Sequence, residues 1–332
     1  MKEVLITKQT VFILGSGASK PYGFPIDAQL RERIRKDFGG DFIKLPYTID
    51  LSPNSLKFEK VKRRDFVDKF TESLSTTYGI ATIDEFLEIN HREYEFIGKI
   101  AIQHYLLEYE REFLSKNKIE PVNDWFEIVL NELLEEAKKE KNPSSLIYLV
   151  EDITFLTFSY DRILEYLYLS KLMSLFPQHS GFMISNNIFN FFWHRIKHLY
   201  GSIGNLPWEI ELDNFNEVQF GESIESYDRI TKTINNIRLI KDGLKSTQEI
   251  GKKIKNAKRI FFLGNGYIEK NMKALNLEDN LNFDDPPEIY GTAFGLENKI
   301  NKIKEDYFSF SEEIPTLKIE PLKCKELIAK YL

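Results

Sequence analysis

Residues 11–25, VFILGSGASKPYGFP, decide the fold. Val11–Leu14 is a short, uninterrupted apolar run, the form a strand takes when both faces of its sheet are covered. Behind it come two glycines, two serines and a lysine, then Pro21, Gly23 and Pro25, and from Ile26 a charged, helix-like stretch. Strand, glycine turn and helix open a parallel α/β unit, and a glycine-rich turn at that place lets backbone N–H groups approach a phosphate. GSGAS is not a Walker loop, because Lys20 follows Ser19 and precedes Pro21, where a glycine before and Ser/Thr after are required. Nor is it the dinucleotide fingerprint, since Lys20 takes the place of the third glycine. Taken alone, the turn leaves two readings open: a phosphate cradle, or a tight strand-to-helix connection without a ligand.

Four further β-branched or aromatic runs repeat the pattern, at Ile153–Phe158, Ile196–Tyr200, Ile260–Leu263 and Glu288–Tyr290. They end in the clusters SYD, GSIG, GNG and GTAFG. Such strands predict a parallel sheet, whose ligands sit at the carboxyl ends. From Arg31 to about Pro143 the pattern changes to long amphipathic segments, such as Asp84–Phe113 and Asp124–Lys141. Thr82-Ile83-Asp84 supplies cap chemistry, Glu135 with Lys139 makes an i,i+4 pair, and the run from Lys141 to Ser145 turns the chain back to the sheet. The expected organisation is a single unit: a core of residues 8–30 and 146–332, with 31–145 as a helical insertion. Asp213–Gly221 reads as a loop, followed by a helix through Ile237 and Leu239 and then a very basic helix, KKIKNAKR, at 252–259.

The composition, 42% hydrophobic and 14% aromatic over 332 residues, suits an ordinary globular protein. Its 45 basic against 51 acidic residues give a net charge of −6, which argues against nucleic acid as a partner, and the lysine run at 252–259 reads as a solvated face. The start MKEVLITKQT lacks the apolar core of a signal peptide, and no uncharged apolar run approaches the ~20 residues of a membrane span, so a cytoplasmic location and no membrane partner are expected. The single cysteine, Cys324, leaves no four-cysteine zinc ribbon, and His91 and His104 are not spaced as a metal pair, so no metal is expected.

GSGASKPYGFP, TIDEFLE (82–88), TFSYDRILEYL (157–167), HLYGSIG (198–204), FFLGNGYIEKNMKAL (261–275) and IYGTAFGL (289–296) resemble, in this order, the motifs of bacterial sirtuin-like NAD hydrolases associated with phage defence. The resemblance implies an α/β fold, a Rossmann-like parallel sheet with an inserted helical subdomain, and NAD held between the two. It implies that Gly15, Ser16, Gly17, Ala18 and Ser19 face the pyrophosphate, and that Gly23, Phe24 and Pro25 close over the nicotinamide riboside. Gly264, Asn265 and Gly266, with Gly291 and Thr292, then line the adenosine side. Without a zinc ribbon, protein deacylation is the less favoured use of such a fold. An NAD hydrolase endangers its own cell, so control by a homo-oligomer or a regulatory protein partner is expected.

Two departures stand at the reacting centre. The family pattern has an asparagine where this chain has Ser159 and a histidine where it has Tyr200. Serine offers one hydroxyl in place of a two-headed amide, and tyrosine, with a reference pKa of about 10, is a poor base near neutral pH. If the strand runs through Tyr200, His198 and Tyr200 project to one side about 7 Å apart, and His198 can take the role of base. A satisfied, partly buried histidine is the other reading. Asp161 either contacts carboxamide or ribose, or caps the following helix. The expected function is NAD cleavage to ADP-ribose and nicotinamide, with a weakened or inactive module that binds NAD or ADP-ribose as the alternative.

Overall fold

The computed structural model describes residues 9–44, 60–77, 79–80, 82–116, 123–140, 151–177, 194–209, 217–223, 227–239, 242, 247–310, 312 and 314–332. Six strands form one all-parallel sheet: β1 (Thr10–Leu14), β2 (Ile153–Thr157), β3 (Ile196–His198), β4 (Arg259–Leu263), β5 (Glu288–Thr292) and β6 (Leu317–Glu320). Their order is β3-β2-β1-β4-β5-β6, so the fold is Rossmann-like, with the parallel α/β character that the apolar runs predict. Every residue of β1, β2 and β4 is buried, which is why these strands carry no alternating polar positions. β6 escapes a reading from sequence because it is a four-residue edge strand, LKIE, in which charges alternate with apolar residues.

Register explains the aromatic content. Phe155, Phe12, Phe261 and Tyr290 lie opposite one another on β2, β1, β4 and β5. Their rings therefore share one face and stack in a row, at centroid distances of 4.9, 5.3 and 5.1 Å, and Tyr331 extends it at 4.4 Å. Each contact adds about 0.5–1.5 kcal/mol beyond area burial.

Among the described residues, five helices occupy the span read as an insertion: α1 (Asp27–Lys44), α2 (Lys60–Thr76), α3 (Ile83–Ile89), α4 (His91–Lys116) and α5 (Phe126–Glu140). The segment expected as one unit from Asp84 to Phe113 breaks at Asn90, whose side chain donates to the Phe86 carbonyl at 3.0 Å. Thr82 closes a capping box with Glu85, in which its hydroxyl accepts from Glu85 N at 3.1 Å and Glu85 accepts from Thr82 N at 3.2 Å. The Glu135 and Lys139 side chains, and the turn at Lys141–Ser145, lie outside the described residues. Trp125 and Tyr22 fasten the α5 end to the first turn. Trp125 donates to the Ala18 carbonyl at 2.8 Å, and Tyr22 donates to Asp124 at 2.8 Å while accepting from Phe126 N at 3.2 Å.

Three expectations from sequence need correction. β3 stops at His198, and Leu199 and Tyr200 lie in a turn, followed by Gly201 at φ +77°. The helix expected through Ile237 and Leu239 is a helix Tyr227–Thr233 and one 3-10 turn, with Ile237 extended. Tertiary bonds pull the chain out of the helix there, since Arg238 N donates to the Tyr200 carbonyl at 2.8 Å. The basic helix runs Thr247–Asn256, and Arg259 already belongs to β4. Of the loop at 213–221, only 217–221 lies among the described residues. No described helix is long and apolar enough to cross a membrane.

Candidate active site in the cleft at the strand ends

From β1 the chain crosses to β2 and β3 on one side and then returns to β4 on the other. This places a topological switch point between β1 and β4, where open α/β sheets hold ligands. A cleft lies there, about 690 Å³ of non-protein space including open solvent. Gly15 and Ser16 line it from the turn after β1, Ser159 and Tyr160 from that after β2, and Asn265 and Gly266 from that after β4. Helices close the other walls, with Pro25 and Asp27 at the start of α1, Thr82 and Asp84 at the start of α3, and Leu106 of α4. Tyr200 reaches the cleft and its hydroxyl donates to Asn271 at 3.2 Å.

The glycines of GSGAS have a role that the sequence does not reveal. Gly17 N–H donates to the Gly264 carbonyl at 3.1 Å, Gly15 N–H to Leu263 at 3.0 Å and Ala18 N–H to Gly15 at 3.0 Å. A Cβ on Gly15 or Gly17 would sit 2.5 or 2.7 Å from the Gly264 carbonyl oxygen. The glycines thus let two loops meet, and three of the expected phosphate donors are already used inside the protein. Thr292 belongs to the same clamp: its hydroxyl accepts from Gly264 N at 2.8 Å. Gly291 lies under Tyr267 and Ile319 in β5, and Phe24 is buried against Tyr109. Gly17, Ala18, Ser19, Gly23, Phe24, Gly264, Gly291 and Thr292 therefore frame the cleft without lining it.

Asn265 is different. Its Oδ1 accepts from Tyr267 N at 2.7 Å, which fixes the amide's orientation and leaves Nδ2 buried without a hydrogen-bond partner. The residue is 6% exposed and lines the cleft. A buried donor left unpaired costs about 1–3 kcal/mol, so its retention points to a ligand acceptor.

The residues expected to do chemistry behave unequally. Ser159 lines the cleft and its hydroxyl donates to Asp161, which also accepts from the Ser19 hydroxyl at 3.0 Å and from Ile163 N at 3.4 Å. The helix, α6 (Ile163–Leu175), begins one residue later than expected, and Asp161 supports its start without being the N-cap. Burial raises the Asp161 pKa against the two hydroxyl bonds that lower it.

His198 is committed to structure. Its Nδ1 pairs with the Ser159 carbonyl at 2.8 Å and its Nε2 with the Glu165 carboxylate at 2.6 Å, and it does not line the cleft. Two acceptors call for two N–H donors, the imidazolium form, which cannot serve as a base. Tyr200 sits apart in its turn, and burial, then Asp84 and Glu88, push its pKa further up. The expected same-side pair is therefore absent, because the strand ends before Tyr200.

Burial disfavours the His198 cation, but Glu165 and the Ser159 carbonyl outweigh it and the pKa is raised. Its folded-state gain is full below the unfolded value of about 6.5 and is lost as pH rises through the higher folded value. Glu209 beside it is pushed up to about 8, by burial and then by Glu165, so the unfolded chain ionises first and stability falls as pH rises toward that value. Melting temperatures should fall from pH 6.5 to 9, and with a shallower slope in His198→Gln. Parallel slopes would remove His198 from this account.

No protein-family model and no curated protein matches this chain. Function has to be read from the cleft, and there the structure adds groups that the motifs did not single out. Asp27 is pushed up to about 6 by burial, against the Ser16 bond, with Asp161 and Glu85 adding to the rise. Asp84 is pushed up to about 7 by burial, against the Tyr160 bond, with Asp27 adding to the rise. The sequence showed Asp84 as cap chemistry and as part of the TIDEFLE motif without a chemical role, and no spacing signals that α3 docks over the strand ends.

Proposed function

We propose that the cleft binds NAD and hydrolyses its nicotinamide–ribose bond, giving ADP-ribose and nicotinamide. The observation that carries this reading is the unpaired Asn265 amide in a switch-point crevice whose walls come from the GSGAS, SYD and GNG turns. A carboxamide or ribose hydroxyl is a suitable acceptor for that donor. Asp27 suits a pyridinium ring, the cationic part of NAD, and a ribosyl cation forming beside it. Ordered motif resemblance to phage-defence NAD hydrolases supports the same assignment, with control by a partner or by oligomerisation as part of it.

Gly266 offers the cleanest probe. A Cβ there meets nothing closer than Ile268 Cγ1 at 3.8 Å, so the first side-chain carbon of Gly266→Val is accommodated and its methyls add bulk at the cleft wall. Calorimetric titration with NAD should show binding to the parent protein and a loss of about tenfold or more in the variant at unchanged melting temperature. Equal affinity in both proteins would move the site elsewhere. A Gly17 substitution would not serve, because it strikes Gly264 first.

A second reading has its own support in the internal commitments of Ser159 and His198. In that reading the fold binds NAD or ADP-ribose as a signal and cleaves nothing. Product analysis after incubation with NAD, with a Ser159→Asn variant that restores the two-headed amide, separates the two. Cleavage by the parent supports the hydrolase; binding without cleavage, with turnover appearing only in Ser159→Asn, supports the module.

A further inference from the structure

The cleft contains a carboxylate with a built-in place for a proton. Asp84 stands at the start of α3, and its Oδ1 is hydrogen-bonded to the Tyr160 hydroxyl. That hydroxyl also lies 2.8 Å from the Arg238 carbonyl oxygen. A phenol has one proton, so it can satisfy only one of two acceptors at a time. With Asp84 ionised, the proton of Tyr160 serves the carboxylate. With Asp84 protonated, the acid donates to the Tyr160 oxygen and Tyr160 donates to Arg238. Asp84 can therefore take up a proton and release it without losing its hydrogen bond to Tyr160.

The other candidates for a base are spent. His198 has both ring nitrogens on acceptors, and Tyr200 is buried with its hydroxyl on Asn271. Asp27, from the start of α1, lines the same cleft. The unpaired Asn265 Nδ2 is independent evidence that a ligand with an acceptor belongs there.

We propose that Asp84 is the catalytic base of an N-glycoside hydrolysis in this cleft, with Asp27 as the carboxylate that stabilises the ribosyl cation. This rests on the NAD reading. The bond between C1′ of the ribose and the pyridinium nitrogen breaks, its electron pair stays on nitrogen, and nicotinamide leaves neutral. Water oxygen bonds to C1′, and the proton that water gives up passes to Asp84 and then to solvent. The sum is NAD⁺ plus water to ADP-ribose, nicotinamide and one proton. Two carboxylates at an N-ribosyl bond parallel the pair used by many glycosidases, and no leaving-group acid is needed because the ring nitrogen is already cationic in the substrate and becomes neutral as the bond breaks.

The pH dependence follows from the groups around Asp84: Tyr160 after β2, Asp27 on α1, Tyr200 after β3 and Glu85 next in its own helix. Burial first, and Asp27 among the neighbours, hold its pKa up at about 7 while the Tyr160 bond lowers it. A base works when ionised, so cleavage should rise with pH through that value. Tyr160→Phe removes a bond that favours the ionised form, so the rise should move to higher pH.

The test combines calorimetric NAD affinity with kcat, read as ADP-ribose and nicotinamide released, for the parent, Asp84→Asn and Tyr160→Phe. The proposal expects Asp84→Asn to lower kcat about 100-fold or more with NAD affinity within about threefold, since general bases contribute on this scale. A parent protein that fails to bind NAD sinks the NAD reading and this assignment with it; one that binds without cleaving sinks the hydrolase and the base together. Cleavage by the parent with kcat kept within about threefold in folded Asp84→Asn overturns the base alone. If Asp84→Asn does not fold, the Tyr160→Phe profile decides: a rise displaced to higher pH supports Asp84, and an unmoved one overturns it.

Discussion

Arg162→Met is expected to destabilise the protein by about 3–5 kcal/mol, the range for breaking a buried ion pair from one side. Arg162 and Glu110 are 1% and 0% exposed and join α6 to α4 at 2.7 Å. The guanidinium also donates to the carbonyls of Gly204 at 3.2 Å, Val218 at 2.7 Å and Gln219 at 3.3 Å, while Glu110 accepts from Gly221 N at 2.7 Å. Methionine fills the volume and supplies none of these donors. A buried carboxylate and three carbonyls would be left without them, and burial already pulls the Glu110 pKa up against its partner. Adding Glu110→Leu should recover only part of the loss, because the carbonyls and Gly221 N remain orphaned. Urea unfolding of the parent, the single and the double variant measures this. A single-variant loss below about 1 kcal/mol would show that water or rearrangement replaces the guanidinium.

Gly264→Ala should be comparably severe and should also disturb the cleft. Gly264 stands at φ +57°, where an L-residue costs about 1–2 kcal/mol, and its Cβ would fall 2.0 Å from Ala18 N and 2.3 Å from the Gly17 carbonyl carbon. Those are backbone atoms held by the Gly17–Gly264 and Gly15–Leu263 bonds, so neither loop can yield cheaply. The expected loss exceeds about 3 kcal/mol in total. Gly23→Ala is the control: its φ is +88° but a Cβ meets nothing within 4 Å, so it should lose only the backbone share, about 1–2 kcal/mol. Equal melting temperatures for the two variants would show that the loop contact is not rigid.

Much of this architecture is legible in the chain because its signals are local. Val11–Leu14 and Ile260–Leu263 are apolar throughout and Ile153–Thr157 interrupts its apolar run only with threonine, the pattern expected of strands covered on both faces. The turns after them advertise themselves through glycine, serine and asparagine, and the motif resemblance, not the turn chemistry alone, singles out Ser159, Tyr200, Asn265 and Gly266, which line the cleft. What such signals do not specify is partnership. The sequence could not distinguish a glycine that admits a phosphate from one that admits another loop. Nor could it show that β3 would end at His198 and hand that imidazole to Glu165.

By itself, then, the sequence determined the all-parallel α/β character and the strand positions apart from the edge strand β6, through short-range periodicity and turn chemistry. The tertiary structure alone decided strand order, the aromatic row across four strands, the loop clamp at Gly264 and the arrival of Asp84 beside Tyr160. These depend on residues such as Asp84 and Tyr160, 76 apart in the chain, being brought together by core packing. Burial then sets hydrogen bonding and proton affinity through neighbours that no local pattern records.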